Sequence, residues 1–180
     1  MTFHSLHDET HLYFVTATVC GWKPIFAQDE YAFIVLDSLS WLRQNDRMFL
    51  HAFVLMPSHL HMIVKPRDHR IGDLLQDFGS FTAHTIVRVL KANGETGLLN
   101  YFHEQRRDTR HQHSIWQDIQ AKNIFSADFL REKIDYIHNN PIARQNKIVE
   151  DRADFKYSSA CFYDRNQIPV IVVDDVREWL

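Results

Sequence analysis

The stretch Phe53-Val54-Leu55-Met56-Pro57-Ser58-His59-Leu60-His61-Met62-Ile63-Val64 decides how this chain is read. Apolar residues run up to a Pro-Ser break and resume after it, now interrupted by two histidines. Residues 48–56 and 59–65 each predict a strand. Strands this close in sequence pair as an antiparallel hairpin. Along a strand, residues i and i+2 share a face. His59 and His61 therefore project side by side, while Leu60 and Met62 turn into a core. Two neighbouring imidazoles suit two ligands of one divalent metal. The triplet alone is not diagnostic, because the chain holds twelve histidines.

Working outward, residues 11–20 are rich in aromatic and β-branched side chains and predict a strand. Gly21-Trp22-Lys23-Pro24 breaks it. Tyr31, Ile34, Val35, Leu39 and Leu42 recur at helical spacing, which predicts a helix over 29–44 with Asp29 as N-cap. A second helix is predicted over 71–92, with Ile71, Leu74, Leu75, Phe78, Phe81, Ile86, Val89 and Leu90 as its apolar positions. Residues 93–112 read as a long polar connection. Short strands are expected at 113–117 and 122–125. Ser126 is placed to cap a third helix at 127–139, which Asn140-Pro141 stops. Residues 168–173 are strand-like and could pair within the chain or with a partner. The order β-α-β-β-α-β-α predicts an α+β fold, a ferredoxin-like split βαβ whose antiparallel sheet carries helices on one face. The domain is expected to span 1–150, with 151–180 as a tail packing on it or extending it.

Bulk properties narrow the function. At 180 residues and 45% apolar content the chain suits one domain with a real core. No apolar run reaches the ~20 residues of a membrane-spanning helix. The polar, acidic start does not read as a secretory signal. Cys20 and Cys161 form no paired motif and read as reduced thiols, so a cytoplasmic location is expected. A formal net charge of −3 argues against a protein that coats nucleic acid non-specifically, though it leaves room for a local basic groove.

A second motif, Tyr136-Ile137-His138-Asn139-Asn140-Pro141, ends the third helix. Tyr136 and Asn140 are four residues apart and share a face. Ile134 and Ile137 belong to the buried side, so Tyr136 sits at the border of core and cleft. On this segment alone, Tyr136 is equally readable as a core-edge tyrosine and either asparagine as a C-cap.

Taken together, the two motifs resemble those of the REP-associated tyrosine transposases, within the single-tyrosine HUH transposases that act on single-stranded DNA. The resemblance spans about residues 11–160. It also takes in Tyr13-Phe14-Val15-Thr16, Ile115-Trp116-Gln117 and Tyr157-Ser158-Ser159. Relatives commonly carry Asn before the first histidine, where this chain has Ser58. The resemblance implies a divalent ion, Mg²⁺ or Mn²⁺, on His59 and His61, with Asn140 as third ligand, although Asn139 is adjacent. Imidazole ligands suit Mn²⁺ better than Mg²⁺. It further implies Tyr136 as nucleophile, a 5′-phosphotyrosine intermediate, and strand transfer beside a DNA hairpin rather than hydrolysis. Monomers and homodimers both occur among relatives. His138 is expected to point elsewhere along the helix.

For DNA contacts the candidates are Arg106, Arg107 and Arg110, with His103, His111 and His113 nearby, and Lys122. An ordinary solvated loop explains the same charge run equally well. Trp116 is a candidate for stacking on an unpaired base, against a core role. Three other functions compete. A His-x-His metal hydrolase needs ligands spread over a barrel of about 250 residues, longer than this chain. A non-catalytic, domesticated DNA-hairpin-binding module and a protein with a structural histidine cluster remain as alternatives.

Overall fold

The computed structural model describes residues 12–67, 70–106, 112–145 and 147–179. Four strands, β1 (Tyr13–Val19), β2 (Met48–Met56), β3 (His59–Pro66) and β4 (Trp116–Asn123), form one sheet in the order β2-β3-β1-β4. Every neighbouring pair is antiparallel. This is the α+β arrangement expected, with β1 inserted between β3 and β4 as a split βαβ requires.

The helices are α1 (Asp29–Gln44), α2 (Ile71–Ala92), α3 (Thr96–Glu104), α4 (Ala127–Asn139) and α5 (Ala160–Arg165). The two long sequence-predicted helices, α1 and α2, form with the expected bounds. The residue that caps α1 is Gln28. Asp29 instead sits in the first turn beside Glu30, where negative charge meets the helix dipole. Ser126 caps α4 as expected, its hydroxyl accepting from the Phe129 backbone N–H. Three expectations are corrected. Part of the connection over 93–112 is helical, as α3. The two short strands at 113–117 and 122–125 are one strand, β4. Phe81, counted among the core positions of α2, is 59% exposed.

Alternation along the strands builds two cores. Val15, Ala17, Leu50, Phe53, Leu55, Leu60, Met62 and Val64 pack beneath α1 and α2. Phe14, Ala52, Val54, Met56 and Ile63 turn the other way and pack against Leu130, Ile134 and Ile137 of α4. Helices on one face therefore describes α1 and α2 only, because α4 covers the opposite face. That second face is where His59 and His61 point.

The tail packs on the domain. Tyr157, Ile171 and Val173 are buried in the larger core. Residues 168–173 form no sheet strand, but Ile168, Val170 and Val172 are exposed while Ile171 and Val173 are buried, as in an extended segment. Asp174 fastens this segment to the outer edge of β2. Its backbone N–H donates to Leu50 O (2.7 Å), and its carboxylate accepts from Leu50 N (2.9 Å) and from both ends of the Arg43 guanidinium (2.7 and 3.0 Å). Farther along the same edge, Leu55 N donates to Tyr157 O and Ser159 N to Phe53 O. The tail thus covers an edge that would otherwise invite another strand.

Candidate active site

Strand register places the polar face. In β1, Thr16 pairs with His61 and Thr18 with His59. The two imidazoles lie with ring centroids 4.9 Å apart, both buried. Each has a hydroxyl beside its Nδ1, Thr16 Oγ1 at 3.0 Å from His61 and Ser58 Oγ at 3.2 Å from His59. With each Nδ1–H donating to its hydroxyl, each Nε2 keeps its lone pair for a ligand. An orienting bond of this kind on the distal nitrogen is the usual support of a metal-binding histidine. Ser58, the position at which this chain departs from the family pattern, therefore still contacts the first histidine.

Burial keeps both rings neutral. Desolvation pushes His61 down to about 3, helped by the nearby His59 and Lys133. Desolvation also lowers His59, opposed in part by the Asn140 side chain beside it. Neutral imidazole is the ligand form.

The Tyr136 end of α4 meets this pair within one chain. The Tyr136 hydroxyl lies 3.5 Å from His61 Nε2. Its ring stands edge-on to His61 (5.1 Å) and to Phe14 (5.9 Å), and Phe14 in turn stacks on His61. The residue is 47% exposed, so one side of the phenol faces solvent while the other is held. Lys133, one turn earlier, places Nζ 5.6 Å from the Tyr136 ring centroid.

The two asparagines separate by environment. Asn139 Oδ1 accepts from Arg152 Nη1 at 3.0 Å, on the outside. Asn140 is 7% exposed, and its Oδ1 is buried without a hydrogen-bond partner. An unsatisfied buried carbonyl costs about 1–3 kcal/mol, and this one, beside His59, is a donor a cation would complete. Two imidazoles and one amide oxygen fit a divalent ion of the Mn²⁺ or Mg²⁺ type. Among the described residues no cluster of three or more His, Cys, Asp or Glu offers another site.

His138 points away, as expected. Its Nε2 bonds Ser159 Oγ at 2.9 Å and it is fully buried, with desolvation pushing it down to about 4. Ser159 also accepts from Phe53 N, so this histidine ties α4 and the tail to β2.

Other candidate residues divide. Lys122 pairs with Phe14 across β1 and β4, which puts it on the histidine face one strand farther out. Trp116 is half-buried against Phe26 and Phe78, and its indole N–H donates to Thr82 Oγ1 at 2.9 Å. These contacts support the packing role for Trp116, which also lines a groove on the α2 side of the sheet. Arg106 is exposed beside His103 and His113, away from the histidine pair. Arg107, Arg110 and His111 lie outside the described residues.

Two residues at the site were missed by sequence reasoning. Thr16 was quoted only within a motif, although Thr16-Ala17-Thr18 alternates as a polar strand face should. Trp22 was read as part of a turn. It is 58% exposed, edge-on to His59 at 5.3 Å, and held at φ +56, a region a bulky side chain rarely adopts. Gly21 before it has φ +59, and a Cβ there would lie 1.8 Å from the Tyr101 hydroxyl. Strain at a cleft residue often accompanies function.

No family model and no curated protein matches this sequence. Several solved chains match, two of them as follows. The structure of a REP-associated tyrosine transposase bound to a REP hairpin matches with a TM-score of 0.63 at 16% identity, over 98% of this chain and 93% of that one. A protein from Deinococcus radiodurans R1, assigned as a transposase, matches with a TM-score of 0.44 at 16% identity, over 77% of this chain and 97% of that one. The first match shows that the chain has the fold of a tyrosine transposase across nearly its whole length.

Proposed function

We propose that the protein is a metal-dependent, single-strand DNA transposase that cuts and rejoins DNA beside a hairpin. The observation that carries this reading is the Tyr136 hydroxyl at 3.5 Å from His61 Nε2, beside the paired His59 ring and the unpartnered Asn140 carbonyl. The similarly folded transposase is bound to a REP hairpin, and we extend that partner class to this chain.

Tyr136 Oη attacks the scissile phosphorus and the P–O3′ bond breaks. The products are a 5′-phosphotyrosine and a free 3′-OH. The phenol gives up its proton and the leaving 3′-oxygen gains one, so the step needs no other reactant. The tyrosyl ester retains the phosphodiester energy, and a 3′-OH attacking it reseals the strand. His59, His61 and Asn140 would hold a divalent ion, which when bound would polarise the phosphate and offset charge in the transition state. Lys133 stands over the ring, and Phe14 and His61 hold the ring in aim. Trp22 offers an exposed ring at the other end of the histidine pair, where an unpaired base could stack. No helix of the described residues is long and apolar enough to cross a membrane.

The test is a covalent adduct on labelled hairpin DNA with an unpaired flank, in Mn²⁺ or Mg²⁺. Wild type is expected to form it. Tyr136→Phe is expected to bind the same DNA and form none. An undiminished adduct in that variant removes Tyr136 as nucleophile, and a wild type that binds without reacting returns the protein to the non-catalytic hairpin-binding alternative.

A further inference from the structure

A second site lies on the other side of the sheet. Between α2 and the start of β4 runs a groove of about 750 Å³, lined along the helix by His84, Val87, Arg88 and Lys91 and across from it by His113 and Ser114. No aspartate or glutamate is among its lining residues, in a chain with 23 acidic residues against 20 basic ones. Neither Arg88 nor Lys91 makes an ion pair with a described residue. Most other arginines with described side chains do, including Arg43, Arg47, Arg67, Arg70, Arg131, Arg152, Arg165 and Arg177. The charges of Lys91, His103 and Arg106 all bear on His113, so positive potential gathers at this end.

We infer that this groove binds the phosphate backbone of the duplex stem of the DNA hairpin, an inference that rests on the DNA-transposase reading above. His84, Arg88 and Lys91 stand at i, i+4 and i+7, one stripe of a helix. At about 1.5 Å per residue the stripe is about 10 Å long. That is about three steps of one strand of a duplex, at about 3.4 Å each. Two cations with no carboxylate beside them suit phosphate contacts, which position DNA on the protein.

The groove also leads to the reaction site. At its β4 end, Cys20 N donates to Ile115 O and Gly21 N to Gln117 Oε1. The next residue is Trp22, against His59. A stem held on the α2 side therefore delivers its unpaired flank around the start of β4 toward Trp22 and the histidines. The stem is anchored on one face and the flank is cut on the other.

The experiment measures affinity, in chelator-containing buffer, for two fluorescent probes: a DNA stem-loop with an unpaired flank, and unpaired oligothymidine. Arg88→Ala with Lys91→Ala is expected to weaken stem-loop binding about tenfold and make its salt dependence shallower by about 1.8 in log–log slope, two duplex phosphate contacts' worth. Oligothymidine binding is expected to change less than twofold. Both residues are exposed, and Arg88→Lys with Lys91→Arg is expected to retain wild-type affinity. Unchanged stem-loop affinity and slope overturn the groove while leaving the transposase reading intact. Equal loss on both probes overturns the stem as occupant. A wild type that binds neither probe overturns this inference and the DNA reading together.

Discussion

The two faces of β3 meet opposite demands. Leu60, Met62 and Val64 look into the larger core and are almost fully buried among apolar neighbours. His59 and His61, between them, look toward α4 and bury polar rings with a carbonyl left unpaired. One face supplies stability and the other uses it. The comparison teaches that an arrangement as costly as two desolvated imidazoles is held because the reverse side of the same strand is tightly packed. Sites of this kind trade stability for chemistry.

The largest expected effect breaks the histidine face. His59→Ala and His61→Ala are each expected to abolish metal-dependent adduct formation while leaving the melting temperature near that of wild type or above it, since each removes a buried polar ring. Full cleavage by either variant in chelator-treated buffer would remove the metal role. The apolar face is expected to behave in the opposite way. Leu60→Ala, between the two histidines, is expected to cost about 2–5 kcal/mol of folding stability by denaturant melt, and to keep adduct formation under conditions where it remains folded. If Leu60→Ala left stability untouched, the division between faces would fail.

Acid sharpens the contrast. His138 has its folded value depressed from 6.5 to about 4. Its neutral form is the one that folds, so its contribution is complete above pH 6.5 and is lost as pH falls from there through 4, where the unfolded chain binds the extra proton first. The loss is expected to reach at most about 3 kcal/mol. His138→Gln is expected to flatten the stability profile in that window, read by melts across pH. An unchanged acid limb would show that His138 is not the group responsible.

The smallest effect is at the rim. Trp22→Ala is expected to weaken binding of the unpaired flank by about 1–3 kcal/mol, the range for stacking on one base. Trp22→Phe is expected to recover part of it. Loss of stem-loop binding with no change for a flankless stem is the supporting pattern, and the reverse pattern counts against stacking.

Much of this was legible in the sequence. α1, α2, α4, β2 and β3 declare themselves by periodicity, and β3 also carries the histidines. α3 carries a short apolar face in Leu98, Leu99, Tyr101 and Phe102, but the polar residues on both sides of it make the whole of 93–112 read as a connection. β4 was split because Asp118, Gln120 and Lys122 face solvent; its continuity comes from pairing with β1 rather than from its own pattern. The placement of α4 was recoverable. If Leu60 points into the core under α1 and α2, a helix that meets His59 and His61 has to lie on the other side. Tyr136 and the histidines stood out by residue type and spacing. The choice of Asn140 over Asn139 as the buried partner depends on how α4 is rotated on the sheet, and Trp22 depends on two successive left-handed residues. Neither is written in spacing.

Gly21 carries one further consequence. The Tyr101 hydroxyl of α3 occupies the space where its side chain would stand, and the backbone turn it allows sets Trp22 over His59. A helix remote from the chemistry and the rim of the reaction cleft are thereby gauged against each other across a gap one atom wide. A methyl group at residue 21 would displace the Tyr101 hydroxyl and strain the left-handed turn that sets Trp22 against His59, altering the rim of the cleft without touching any residue that reacts.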